Sequence, residues 1–104
     1  MKTSYSETFK DYVVDQLSDL GSISVRKMFG SFGLYCNGKF FAIISAGQLY
    51  FKTNPRLSIL YTLRGMHPFT PSKDQVLKNY YQVPPDIIDD RIRLPLWAEE
   101  AIKL

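Results

Sequence analysis

Leu34-Tyr35-Cys36-Asn37-Gly38-Lys39-Phe40-Phe41-Ala42-Ile43-Ile44-Ser45-Ala46-Gly47-Gln48-Leu49-Tyr50-Phe51-Lys52 holds three largely apolar runs separated by two short breaks. Asn37-Gly38 is the strongest short hairpin signal, because both residue types tolerate the positive φ of a type I′ turn. Ala46-Gly47 offers a second, weaker one. Two-residue loops at both places set Leu34 opposite Phe41, Tyr35 opposite Phe40, Ile44 opposite Leu49 and Ile43 opposite Tyr50. Strand alternation then sorts the side chains onto two faces. One face collects Tyr35, Phe40, Ala42, Ile44, Leu49 and Phe51, carries no charge, and is expected to be the core face under the helices. The other collects Phe32, Leu34, Cys36, Lys39, Phe41, Ile43, Gln48, Tyr50 and Lys52. That mixture is too apolar for bare solvent and marks a surface for a partner.

Upstream of this stretch, Ser4 and Glu7 have the spacing of a capping box, and Phe9, Val13, Leu17 and Leu20 recur at helical intervals up to Gly21. Ile23 to Phe29 has strand composition, and Gly30-Ser31-Phe32-Gly33 is expected to be a turn. Downstream, Thr53-Asn54-Pro55 combines a capping side chain with a proline for the first helical turn. Leu57, Leu60, Tyr61 and Arg64 continue that helix, and Gly65 ends it. His67 to Pro71 is expected to be a loop, and Leu77 to Val83 a last strand stopped by Pro84-Pro85. A final helix runs from about Asp90 through Leu94, Trp97, Ala98, Ala101 and Ile102, with Pro95 either beginning or kinking it. The expected order is α-β-β-β-β-α-β-α, an α+β fold with an antiparallel meander, as one domain over residues 1–104.

The 104 residues are 45% apolar and 22% charged, which excludes disordered, collagenous and coiled-coil classes. The longest purely apolar run, Phe40 to Ile44, falls far short of the ~20 residues that span a bilayer. With a polar N-terminus, no signal peptide is expected. Cys36 is the sole cysteine, so no internal disulfide forms, and a cytoplasmic location is expected. The net charge is +3 and is unevenly spread. Residues 1–20 and 83–104 each carry −2, whereas residues 21–82 carry +7 with Asp74 as the single acid. A basic middle between acidic ends is either a footprint for an anionic partner or a set of solvated cations whose counter-charges lie nearby in the fold.

Groups for catalysis are sparse. His67 is the only histidine, which excludes a histidine-based metal site. Cys36 stands opposite Lys39 in the expected register, an arrangement that lowers a thiol pKa, but a strand cysteine is ordinarily a small buried hydrophobe. Asp89-Asp90 and Glu99-Glu100 are adjacent pairs whose members point in different directions on a helix. Gly30-Ser31-Phe32-Gly33 lacks the lysine of a phosphate loop. No enzyme activity, metal or cofactor is expected. Aromatic and basic residues that share one sheet face, Lys39, Phe41, Tyr50 and Lys52, suit the stacking of single-stranded bases. They suit a protein interface equally, and no RRM-type aromatic motif is present.

Arg26-Lys27-Met28-Phe29-Gly30-Ser31-Phe32-Gly33-Leu34-Tyr35, followed by Asn37-Gly38-Lys39-Phe40-Phe41-Ala42, resembles the N-terminal domain of the TfoX/Sxy competence regulators. Leu49 to Thr53, Pro68-Phe69-Thr70 and Tyr80 to Pro84 are similar to later segments of that family, so the likeness covers roughly residues 23–102. The resemblance implies a bacterial regulator of natural transformation that acts with the cyclic-AMP receptor protein to switch on DNA-uptake genes. It also implies an α+β fold similar to secretion chaperones and supplies no catalytic residues. The chain departs from full-length regulators in ending before a C-terminal helical domain, and in having Pro71 where many relatives have an aromatic. The expected partner-binding residues are Arg26, Lys27, Lys39, Phe41, Tyr50 and Lys52. The expected partner is a protein such as the cyclic-AMP receptor protein at promoter DNA. Direct nucleic-acid binding through the basic middle, a homodimer through the mixed face and a small enzyme using Cys36 are the alternatives.

Overall fold

The computed structural model describes residues 5–28 and 30–104, so the Ser4 of the expected capping box lies outside the described residues. In chain order, α1 (Tyr5–Gln16) and a 3-10 turn (Ser18–Leu20) lead into β1 (Ile23–Met28), β2 (Ser31–Cys36), β3 (Lys39–Ser45) and β4 (Gln48–Lys52). There follow α2 (Ser58–Thr62), β5 (Pro68–Ser72), β6 (Gln75–Gln82), α3 (Pro85–Ile88) and α4 (Arg93–Ile102). Among the described residues the six strands form one antiparallel sheet in the order β1-β2-β3-β4-β6-β5.

Both expected hairpin turns are present. Asn37 and Gly38 have φ of 52° and 85°, and Ala46 and Gly47 have 51° and 74°, the doubly positive pattern of type I′. The pairs Tyr35–Phe40, Ile44–Leu49 and Ile43–Tyr50 form as expected. Leu34, however, lies opposite Ala42 rather than Phe41, because the register shifts between Leu34 and Tyr35. Phe41 is the extra residue of a β-bulge, which reverses the in–out parity from that point. Phe41 and Ala42 therefore both reach the core, and the expected faces are corrected. Tyr35 and Phe40 leave the core face, while Phe32, Leu34, Cys36 and Phe41 join Ala42, Ile44, Leu49 and Phe51 on it.

Two other expectations change. Of the turn expected at Gly30–Gly33, Ser31 to Gly33 belong instead to β2, with Met28 paired to Ser31. Gly33 serves close approach instead of a turn: a Cβ there would stand 3.0 Å from both the Met28 Cε and the Phe40 ring. The loop expected at His67–Pro71 is largely strand β5. Its two prolines lack N–H donors, which an edge strand tolerates, and β5 pairs only with β6.

Helices cover the corrected core face. Val13 of α1, Leu17 just after it, Ile87 and Ile88 of α3, and Leu94, Ala98 and Ala101 of α4 are all buried in the same cluster as Phe41 and Phe51. The Asn54 carboxamide caps the turn into α2 by accepting from the Leu57 N–H at 2.8 Å. Asp90 does the same for α4, accepting from the Ile92 and Arg93 N–H groups at 2.9 Å. Pro95 therefore falls in the first turn of α4, where its missing N–H costs no intrahelical bond. The Gln16 amide donates to the Ile88 carbonyl and Arg91 donates to Gln16, which ties α1 to the segment carrying α3 and α4.

Candidate functional site

Among the described residues no helix lies over the second face of the sheet, and its residues follow from alternation and register. On β4, Leu49 and Phe51 are fully buried, so Gln48, Tyr50 and Lys52 point the other way. Lys52 pairs with Tyr80 and Tyr50 with Gln82, which brings those residues to the same face. Tyr35, Phe40 and Tyr80 form a row with ring centroids 5.1 and 5.7 Å apart. The Arg26 guanidinium lies 5.7 Å from the Tyr35 ring at one end, and Lys52 stands beside Tyr80 at the other. Tyr50 and Phe69 form a second pair, 4.6 Å apart.

The sheet curls around this face. Met28 of β1 and Pro71 of β5, from the two edge strands, line one groove together with Phe40, Ile43, Leu77 and Tyr80, and its volume is about 490 Å³. The curl leaves Ile43 only 5% exposed with no helix above it. Ser31 and Ser45 line the same groove and share a 2.9 Å hydroxyl hydrogen bond. Burial raises the pKa of the Tyr50 and Tyr80 phenols, with a further rise at Tyr80 from the neighbouring Tyr35. Both stay neutral hydrogen-bonding groups at ordinary pH.

The charge pattern of the sequence acquires a spatial meaning here. Among the described residues none of the chain's ten acids lies in a strand, whereas Arg26, Lys27, Lys39, Lys52 and Lys78 all do. The carboxylates lie in or beside helices, apart from Asp74 in the β5–β6 turn. Among the described residues Arg64, paired to Asp86 at 3.1 Å, is the one cation of the middle segment in an ion pair. Compensation by nearby counter-charges therefore accounts for Arg64 and leaves the strand cations unpaired.

The six expected site residues do not share one surface. Arg26, Tyr50 and Lys52 lie on the bare face. Phe41 is fully buried in the core beside Phe51, so it cannot touch a partner of the folded domain. Lys27 and Lys39 pair with Phe32 and Cys36, which places them on the helix side. Tyr35, Phe40, Phe69 and Tyr80 were not expected on the bare face. The Tyr35-to-Phe40 hairpin signal identified two of them, but the unseen bulge assigned both to the wrong side. Cys36 is buried and His67 is exposed. Among the described residues no group of three or more His, Cys, Asp or Glu could hold a metal ion, and no helix is long and apolar enough to cross a membrane.

A second apolar surface lies on the helical layer. Leu57, Leu60 and Tyr61 from α2 and its approach, with Leu96, Trp97 and Glu100 from α4, line a cleft of about 210 Å³. Leu60 and Leu96 are each more than half exposed there, and Ile59 and Leu63 extend the exposed apolar surface of the α2 segment. The Arg64 guanidinium sits 5.4 Å from the Trp97 ring at its margin.

The family model of the TfoX N-terminal domain matches residues 15–104. The chain belongs to this family. The matched span takes in the whole sheet and α2 to α4, with only the end of α1. The residues that carried the resemblance are the architectural ones of the TfoX N-terminal fold in this chain: the Asn37-Gly38 turn, the close-approach Gly33, and the strands that carry the bare-face aromatics. Among curated proteins, none matches the chain.

Proposed function

We propose that this TfoX N-terminal domain is a non-enzymatic cytoplasmic regulator of natural competence. It acts by contact with transcription machinery such as the cyclic-AMP receptor protein at promoter DNA. Family membership carries this reading. The exposed leucines of α2 and α4 support it physically, since an apolar cleft with a charged margin is common interface material. Labelled competence-promoter DNA, titrated with the protein with and without the receptor and followed by anisotropy, tests it. A shift that needs the receptor and is lost in Leu60→Asp is the expected result. The same titration with no receptor-dependent change would overturn the reading.

A second reading, direct contact with nucleic acid, is supported by the unpaired cations of the sheet. A receptor-independent shift that falls steeply with salt favours it.

A further inference from the structure

The bare sheet face combines three features. It presents a continuous row of aromatic rings, Tyr35–Phe40–Tyr80, over an apolar groove. It carries a cation at each end of that row, Arg26 beside Tyr35 and Lys52 paired in register with Tyr80, neither of them in an ion pair among the described residues. It has no carboxylate from any strand. A ligand that suits all three is anionic at intervals and planar between them.

We propose that this face is a platform for single-stranded nucleic acid. Bases stack on Tyr35, Phe40 and Tyr80, and backbone phosphates meet Arg26 and Lys52. Stacking of this kind is tolerant of sequence, because every base has a π-face. Duplex DNA keeps its base faces stacked on one another, so it would use the two cations and leave the aromatic row idle. A second copy docked face to face with the rows aligned would set the cations Arg26 and Lys52 against the same cations of the other copy, with no strand carboxylate to offset them. The proposal rests on the second reading above, direct contact with nucleic acid, and is independent of any receptor contact.

The test uses the full chain and a fluorescein-labelled twelve-residue oligothymidylate, followed by anisotropy over a range of salt. Affinity should fall with salt by about 0.7 log units per phosphate contact, and Arg26→Gln and Lys52→Gln should each reduce that slope by about 0.7. Tyr80→Leu, which keeps apolar bulk in the groove, should weaken binding about tenfold at fixed salt. Leu60→Asp on the helical layer should leave binding unchanged. Thermal unfolding of each variant confirms that it is folded, and the two glutamine substitutions at solvent-accessible cations keep the test decisive if Tyr80→Leu does not fold. Equal or tighter binding to a duplex of the same length would overturn the platform while leaving direct nucleic-acid contact standing. No binding of either form by about 100 µM at low salt would overturn both. Concentration-dependent sedimentation abolished by Lys52→Glu would overturn the platform in favour of a homodimer face.

Discussion

Phe40 and Phe41 are neighbours in the chain and opposites in the fold. Phe41 is fully buried beside Phe51, at 5.9 Å between ring centroids, in the cluster that α1, α3 and α4 cover. Phe40 is half-buried in the row with Tyr35 and Tyr80 on the uncovered side. The two faces of one sheet are thus both aromatic, and apolar content alone does not tell core from surface. The surrounding polar groups do. The helical layer holds nearly all the carboxylates and the ion pairs that join its parts, Arg64–Asp86, Arg93–Asp90 and Arg91–Asp15. Among the described residues the strand cations take part in no ion pair. One face is therefore closed by the chain's own helices, and the other is left with rings and cations uncovered among the described residues.

The sharpest way to break this contrast is to truncate the two phenylalanines separately. Phe41→Ala should cost about 3–5 kcal/mol, the range for a large side chain removed from a packed interior. Phe40→Ala should cost about 1 kcal/mol, as for a typical partly exposed position. Urea unfolding reads both, and equal costs would mean that the bare face is as much a part of the core as the covered one. Next in size is Gly33→Val. Its φ is not positive, so an ordinary strand glycine would gain from the change. Here the added Cβ meets the Met28 Cε and Phe40 ring at 3.0 Å, and overpacking of this kind costs about 1–3 kcal/mol. The ring resonances of Phe40 and Tyr80 should shift while the methyls of Ile44 and Leu49 stay in place. A stabilised variant would show that Gly33 does not support the aromatic row.

Much of this arrangement is legible in the sequence. Turn chemistry is local, so Asn37-Gly38 and Ala46-Gly47 could be read directly, and three of the four expected pairs formed. The bulge at Phe41 is not local: it depends on both Phe41 and Ala42 finding room beneath the helices, which alternation cannot reveal. That one residue moved Tyr35 and Phe40 across the sheet and Phe41 into the core, and so rearranged the candidate site. The sequence places Tyr80 in a strand, but β6 joins β4 across a long connection, and no turn specifies such a pairing. His67 to Pro71 reads as a loop, whereas the edge position that lets a strand tolerate Pro68 and Pro71 is a property of the whole sheet. The family motif includes the Asn37-Gly38 turn and the close-approach Gly33, whose residue types stand out in a sequence without its fold.

Acid should separate the two layers. Asp86 is held below the usual carboxylate range chiefly by the Arg64 hydrogen bond, and Asp90 chiefly by the Arg93 backbone N–H. A carboxylate whose folded pKa is depressed stabilises the fold above its unfolded value, and that contribution disappears as pH falls through the folded one. For these groups the loss begins as pH drops through about 4, near the unfolded value, and continues below it. The strands contain no carboxylate to respond in this way. Hydrogen exchange, corrected for intrinsic rates, should therefore show α3 and α4 losing protection between pH 5 and pH 3 before β2 and β3 do. Asp86→Asn combined with Asp90→Asn should lower stability at pH 6 and flatten its decline toward pH 3. An unchanged decline would place the acid sensitivity elsewhere.

The smallest effect concerns the two turns that frame β3. They have the same backbone geometry, yet Asn37 suits its left-handed φ of 52° and Ala46, at 51°, does not. Asparagine tolerates that region through local hydrogen bonding, while an alanine Cβ crowds the carbonyl that follows it. Ala46→Asn, which gives the second hairpin the chemistry of the first, should stabilise the domain by about 0.5–1 kcal/mol. Because the Ala46-Gly47 turn lies at the Ser45–Gln48 end of the sheet, away from the Tyr35–Phe40–Tyr80 row, oligothymidylate affinity should not change. A gain in stability accompanied by lost binding would mean that residual strain in this turn shapes the bare face, and the two faces would then be coupled through β3 rather than independent.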